Sequence, residues 1–93
     1  MLQIENRHWE IVQGILSKYP YKFYAYGSRA KGTARKFSDL DLCYLEDVSD
    51  ALIFEIEEEF KESDLPFIVE LVAWKDMKVG FQEAIKGNLT LIS

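Results

Sequence analysis

Asp39 and Asp41 are the residues of this sequence whose type and spacing best suit chemistry. They begin an apolar, strand-like run from Leu40 to Leu45, and residues two apart on a strand project to the same side. Two carboxylates on one side can share a pair of divalent cations about 3.5–4 Å apart, which suits in-line phosphoryl or nucleotidyl transfer. Taken alone, the pair is equally compatible with two surface acids at the mouth of a strand.

A Gly-Ser pair, Gly27 and Ser28, is separated from Asp39 by ten residues. Glycine allows backbone angles that are closed to other residues and keeps a side chain out of the path of a ligand. Ser28 can begin a helical turn whose free N–H groups, together with its hydroxyl, hold phosphate oxygens. The pair therefore favours a phosphate-handling turn in front of two metal-binding carboxylates.

Glu70 is the candidate third carboxylate. It is the only acid in the apolar run PFIVELVAW, where an unpaired carboxylate is costly. Two closely spaced cations need more oxygen ligands than two aspartates supply, and the attacking hydroxyl needs a base or a charged neighbour. The alternative is a strand glutamate that pairs with a nearby lysine or lies on an exposed edge.

Charges are segregated along the chain. Four of its eleven cations fall within the acid-free segment Arg29–Lys36, whereas residues 39–64 contain eleven acids and one cation. A net charge of −5 argues against a general nucleic-acid-binding surface. Arg29 and Lys31 can contact a triphosphate or a leaving pyrophosphate, or can equally be solvated cations of a mobile loop; Arg35 and Lys36 are weaker candidates.

Two other reactive side chains are better explained by packing. His8 lies on the apolar side of a predicted helix, and there is no second histidine to complete a conventional metal site with it. Cys43 is the single cysteine, so it can form neither an internal disulfide nor a cysteine-rich metal site. We expect both to be buried packing residues.

The apolar periodicities and turn residues predict an α/β (α+β) protein in the order α-β-α-β-α-β-α, forming a single domain over residues 1–93. No apolar run is long enough to cross a bilayer and the N-terminus lacks a signal segment, so a cytoplasmic location is expected. The predicted elements are a helix from about Ile4 to Tyr19, a strand Lys22 to Tyr26, a short turn Ser28 to Lys31 capped by Ser28, a strand Leu40 to Leu45, a helix with an apolar stripe from Val48 to Phe60, a strand Phe67 to Trp74, a helix Met77 to Ile85 and a brief terminal strand Leu89 to Ile92.

Alternation within the second predicted strand assigns its residues to two faces. Asp39, Asp41 and Cys43 should point to one face and Leu40, Leu42 and Tyr44 to the other. In the next strand Glu70 should share a face with Ile68 and Val72. The glutamates of the helix between these strands are expected to form a solvated surface.

The segment GSRAKGTARKFSDLDL resembles the Gly-Ser, ten residues, Asp-x-Asp signature of the DNA polymerase β-like nucleotidyltransferase superfamily, and its GSRAKG form resembles the minimal nucleotidyltransferases, the MNT or MntA-like antitoxins. The resemblance implies a small mixed β-sheet with flanking helices. It implies that Gly27 and Ser28 bind the β- and γ-phosphates, that Asp39 and Asp41 ligate both metals, and that Glu70 is the third metal-binding carboxylate. That position is usually aspartate in the minimal proteins, and glutamate is longer by one methylene.

The function implied by this resemblance is transfer of AMP from ATP to a hydroxyl, with two Mg²⁺ ions. The acceptor implied is a tyrosine of a separately encoded HEPN-domain RNase toxin, which the protein would bind and silence as its antitoxin. One alternative is an antitoxin that acts by binding alone. Another is nucleotidyl transfer to a small molecule or an RNA end, which the short chain and its acidity disfavour.

Overall fold

A four-stranded mixed sheet carries Asp41, Cys43 and Glu70. The structure is a computed structural model and describes residues 2–93. Its helices and strands are α1 (Asn6–Leu16), β1 (Tyr24–Tyr26), α2 (Ser28–Lys31), β2 (Leu40–Tyr44), α3 (Asp50–Lys61), β3 (Val69–Ala73), α4 (Val79–Ile85) and β4 (Thr90–Leu91), with 3₁₀ turns at Trp74–Asp76 and Lys86–Asn88.

The strand order is β3-β2-β1-β4, so β2 and β1 are central. β1 pairs antiparallel with both β2 and β4, whereas β2 and β3 are parallel. The parallel pair requires a crossover, which α3 provides between β2 and β3. This confirms the predicted class and the small mixed sheet with flanking helices.

One face of the sheet is packed against α1 and α3. Leu40, Leu42 and Tyr44 are buried on this face, as the alternation of β2 predicted. Helices α1 and α3 contribute buried side chains to the same cluster: Val12, Ile15, Leu16, Ile53, Ile56 and Phe60. The main hydrophobic core therefore lies on the side of the sheet opposite to the predicted chemistry.

The other face has a smaller apolar cluster. Tyr26, Cys43 and Ile85 are its buried members. Ile85 comes from α4, so this helix covers part of the face and leaves the remainder open. Cys43 is a fully buried free thiol whose pKa is raised by burial to about 11, which confirms it as a packing residue.

Several element ends differ from those predicted. Helix α1 ends at Leu16 instead of Tyr19, since Lys18 and Tyr19 make tighter turn bonds to Ile15 and Leu16. Ser28 is not the cap of α2: Gly27 holds that position, and no side-chain cap is formed. Ser49, by contrast, caps α3 by accepting a hydrogen bond from the Leu52 N–H at 3.2 Å.

The acidic surface of α3 is only partly a solvated one. Glu57 accepts a hydrogen bond from the Leu71 N–H of the edge strand β3 at 3.0 Å. Glu59 accepts one from the Tyr19 hydroxyl at 2.7 Å and pairs with Lys18. Two of these carboxylates therefore join α3 to β3 and to the end of α1. Within residues 2–93, no helix has both the length and the apolar character needed to span a membrane.

Candidate active site

Asp41 lies at the centre of the candidate site because it occupies the middle of three adjacent strands. In the strand pairing it is opposite Tyr26 of β1 and level with Glu70 of β3. Asp39 immediately precedes β2, two residues before Asp41. Because Leu40, Val69 and Leu71 are buried on the core side, the alternation of the strands directs all three carboxylates to the opposite face.

The three carboxylates repel one another. Burial, the charge of Glu70 and the charge of Asp39, in that order, raise the pKa of Asp41 above its ordinary value. Within residues 2–93, none of the three forms an ion pair or a hydrogen bond through its carboxylate. This surplus of negative charge at one place is what a divalent cation would neutralise.

The donor set fits Mg²⁺, which prefers carboxylate oxygens. In the part of the chain that the structure describes, however, no three histidine, cysteine, aspartate or glutamate side chains already surround a common point at metal distance. Asp41 is half-buried, whereas Asp39 and Glu70 are exposed, so their side chains have room to rotate toward a shared ion. The backbone thus supplies the strand placement, and the final ligand geometry depends on two exposed side chains.

The placement of Glu70 has features of both predicted alternatives, the exposed strand glutamate and the third carboxylate of a metal site. It is exposed on an edge strand, which is the less specific alternative. It is also registered with Asp41, which is what the third carboxylate of a metal site requires. Because Glu70 is exposed, its carboxylate does not incur the expected desolvation penalty, and burial is no evidence for a functional role. The evidence for such a role is its register with Asp41.

Gly27 closes the site on the side of β1. Its φ of +79° and ψ of −157° belong to a region that only glycine adopts readily. A Cβ at this position would lie 2.7 Å from Asp41 Oδ2. The predicted need for glycine at this position is therefore confirmed, for two reasons. The turn requires a positive φ, and the Asp41 carboxylate occupies the space that a Cβ would need.

Ser28 and Lys31 lie in α2, directly after this turn. The bonds of α2 begin with the Ala30 N–H, which donates to the Gly27 carbonyl at 3.1 Å, so the first two N–H groups of the helix precede its bonding ladder. Ser28 is half-buried and Lys31 is exposed. Both can be reached by a ligand that approaches the turn.

Arg29 is placed differently from the predicted phosphate contact. Its side chain is buried, with a relative exposure of 5%. Its nitrogens donate to the backbone carbonyls of Gln3, Lys36 and Ser38 at 2.8 to 3.3 Å. Burial lowers its pKa, and the charge of Asp39 opposes that effect. The guanidinium is thus engaged by the loop that leads to Asp39.

Tyr26 is a member of the site that the sequence motifs do not predict. It is buried and stacks edge-on against Phe81 of α4, with ring centroids 5.8 Å apart. Burial raises its pKa to about 12, and Asp41 and Glu70 add to that effect. Its position directly before Gly27 was the available signal, but an aromatic residue in a strand is usually read as core.

His8 lies outside the carboxylate cluster. It is buried on α1, and its ring packs edge-on against Phe67 at 5.7 Å. Its Nδ1 is 3.6 Å from a Glu5 carboxylate oxygen. The prediction of a packed histidine is confirmed.

Comparisons with known proteins identify the family of this chain. Residues 10–93 match the family model described as Polymerase beta, Nucleotidyltransferase. The probable protein adenylyltransferase MntA of Haemophilus influenzae is 40% identical to this chain over 95 residues, spanning 98% of the chain and 83% of that protein.

Solved structures show the same fold. A toxin–antitoxin crystallised with AMP-PNP gives a TM-score of 0.69 at 19% identity, covering 91% of this chain and 72% of that one. A variant of the toxin–antitoxin MntA-HpeT gives 0.62 at 12% identity, covering 91% and 71%. Because the family model covers residues 10–93 and a relative is 40% identical over nearly the whole chain, the chain belongs to the polymerase β-like nucleotidyltransferase family and is a nucleotidyltransferase.

Proposed function

We propose that this enzyme transfers AMP from ATP to a tyrosine of a separate HEPN-domain RNase toxin and thereby acts as its antitoxin. The observation that carries the proposal is the alignment of Asp41 with Glu70 across the parallel strands, with Gly27 closed against Asp41. Support for a protein acceptor comes from the Haemophilus influenzae relative, which is named a probable protein adenylyltransferase. Support for a toxin partner comes from the MntA-HpeT pair.

Asp39, Asp41 and Glu70 are the residues that would hold two Mg²⁺ ions. When bound, the ions would supply acidification of the acceptor hydroxyl and neutralisation of the pyrophosphate. Asp41 is the ligand whose position is best defined, because its neighbours in β1 and β3 hold its strand on both sides.

The other site residues bind and orient ATP. The absence of a side chain at Gly27 lets the phosphates approach the first N–H groups of α2. Ser28 offers its hydroxyl and Lys31 its charge to the β- and γ-phosphates. Arg29 was predicted to join them, but its donors already face backbone carbonyls.

The reaction forms one bond to phosphorus and breaks another. The acceptor oxygen bonds to the α-phosphorus as the bond from that phosphorus to the bridging oxygen of the β-phosphate breaks. Pyrophosphate leaves with the bonding pair, and the proton of the acceptor hydroxyl passes to Glu70, whose exposed carboxylate can reach an incoming group. The exposed Ile68, two residues before Glu70, provides an apolar surface beside this route.

The experiment is to incubate the purified toxin partner with this protein, ATP and Mg²⁺, and to measure the intact mass of the toxin. The toxin should gain the mass of one or more AMP units. Asp39→Asn and Asp41→Asn should abolish the gain, whereas Asp47→Asn should retain it, because the Asp47 side chain is 99% exposed and lies outside the site. A correctly identified toxin that gains no mass would refute AMP transfer to it.

A second candidate is an antitoxin that acts by binding alone. It is favoured by the finding that no three metal-binding side chains within residues 2–93 already converge on one point. Toxin neutralisation by the Asp39→Asn, Asp41→Asn double variant separates the two functions. Neutralisation should be lost if AMP transfer is required and retained if binding is sufficient.

A further inference from the structure

The buried guanidinium of Arg29 joins two segments of backbone, the N-terminal segment at Gln3 and the loop at Lys36 and Ser38. Nε and Nη2 both donate to the Ser38 carbonyl, at 3.0 and 2.8 Å. Nη1 donates to the Gln3 carbonyl at 3.0 Å, and Nη2 also approaches the Lys36 carbonyl at 3.3 Å. A planar fork with donors on three nitrogens is suited to this task in a way that an ammonium is not.

The same guanidinium lies over an aromatic ring. Its Cζ is 4.1 Å from the ring centroid of Phe67, a buried residue two positions before β3. Ser38 lies two positions before β2. The Arg29 guanidinium therefore contacts both the backbone that leads into β2, at Ser38, and the Phe67 ring that precedes β3. Those two strands carry Asp41 and Glu70.

Ser38 links this cluster to the first metal-binding residue. Its carbonyl belongs to the peptide bond with Asp39, so the two bonds from Arg29 restrict the plane from which Asp39 projects. The loop is also tied from within: the Arg35 N–H donates to the Ser38 hydroxyl at 2.8 Å, and the Ser38 N–H donates to the Arg35 carbonyl at 3.1 Å. Without Arg29, the loop would keep its hydrogen bonds between Ala34 and the Gln3 side chain, but Ser38 itself would be held only by its bonds to Arg35.

We propose that Arg29 is a positioning residue, which fixes the backbone from which Asp39 projects, through Ser38, and does not contact the triphosphate. The proposal rests on the metal site assigned above under the proposed function. A positioning role and a purely electrostatic role predict opposite changes in divalent-cation affinity when Arg29 is removed. Loss of a cation near Asp39 would strengthen divalent-cation binding by electrostatics, whereas loss of positioning weakens it.

The test measures Mn²⁺ binding in the absence of nucleotide, by counting free Mn²⁺ with electron paramagnetic resonance. Arg29→Met should raise the Mn²⁺ dissociation constant about 10-fold, the lower end of the range for residues that orient metal ligands. Arg7→Met is the matched control, because Arg7 is exposed on α1, and it should leave the constant unchanged. An unchanged or lower constant for Arg29→Met, with weaker binding of a non-hydrolysable ATP analogue, would overturn the proposal in favour of a phosphate contact.

Arg29→Lys provides a second variant in case the methionine variant does not fold. It keeps the charge and loses the fork, so the Mn²⁺ constant should still rise, whereas a role based on charge would leave it unchanged. Amide hydrogen exchange supplies a readout that needs no metal: the Ser38 and Leu40 N–H groups, bonded to Arg35 and Ile68, should exchange faster in Arg29→Lys. Unchanged exchange refutes the positioning role, whereas a wild-type protein that binds no Mn²⁺ refutes the metal site instead.

Discussion

The two faces of the central strand β2 differ in what they contribute. Leu40 and Leu42 are fully buried beneath α1 and α3, and the adjacent Asp41 is half-buried on the opposite face beside two exposed carboxylates. One face is closed, apolar and well packed; the other is covered at Cys43 but is open around Asp41, where it carries charges that repel one another. Under the proposed function, Leu40 and Leu42 serve stability and the intervening Asp41 serves catalysis, so substitutions one position apart should change different quantities.

Asp41→Asn should have the largest effect on activity. Removal of a proposed metal ligand should lower AMP transfer more than 100-fold, beyond the 10- to 100-fold typical of residues that only support ligands. Without metal, the variant should be more stable than the wild type at pH 7, because burial and the charges of Glu70 and Asp39 disfavour the Asp41 carboxylate. Mass spectrometry of the acceptor and urea unfolding measure the two quantities.

The control for this variant is Asp47→Asn, an equal change at an exposed carboxylate. It should leave both quantities unaltered. If Asp41→Asn destabilised the metal-free protein, the open face would contribute to folding and the division between the faces would be wrong.

Leu42→Ala should have the largest effect on stability. It removes a fully buried side chain and leaves a cavity, so the free energy of unfolding should fall by about 2–5 kcal/mol in urea unfolding. The folded fraction should keep its Mg²⁺ affinity, because the altered side chain points away from the carboxylates. Leu45→Ala, at a position 58% exposed, should change stability by less than about 0.5 kcal/mol.

Gly27→Ala should affect both faces at once. The backbone angle alone should cost about 1–3 kcal/mol, and the added methyl group must displace the Asp41 carboxylate, 2.7 Å from its Cβ. Gly32→Ala is the control for a positive φ without the contact: φ is +78° there, with ψ in the milder left-handed helical region at 20°, and no atom lies within 4 Å of a Cβ. Weaker Mn²⁺ binding in Gly27→Ala alone would separate the steric effect from the strain; equal weakening in both would contradict it.

The pH dependence of stability should also distinguish the faces. The pKa of Asp41 is raised in the folded state, so the folded protein retains this proton more readily than the unfolded chain. In metal-free protein, the contribution of Asp41 to stability is therefore greatest below its unfolded pKa and falls as the pH rises through the folded pKa. Asp41→Asn should flatten this part of the curve measured by urea unfolding, whereas Leu42→Ala should shift the whole curve without changing its shape.

The sequence predicted the fold well because its periodicities are local. Leu40, Leu42 and Tyr44 alternate with the aspartates, and that alternation alone gave the correct faces of β2. Gly27 was also predictable, because a positive φ leaves few other choices.

Long-range contacts were harder to predict. The register that places Asp41 level with Glu70, and the contacts of Arg29 with Gln3 and Phe67, depend on residues more than twenty positions apart. The sequence around Arg29 does not distinguish an arginine that is buried against backbone carbonyls from a solvated arginine that contacts phosphate. The same limit hid Tyr26, whose relation to the carboxylates exists only once β1 pairs with β2.

Gly14→Ala should have the smallest effect, and it touches neither face of the sheet. Gly14 is exposed within α1, and no atom lies within 4 Å of a Cβ built there. Alanine should therefore stabilise the protein by about 0.5–1 kcal/mol, through the lower conformational entropy that it loses in a helix. Urea unfolding should show this gain while AMP transfer and Mn²⁺ affinity stay at wild-type values. A gain in stability that lowered transfer would mean that the open face depends on motion of α1, and the independence of the two faces would then be lost.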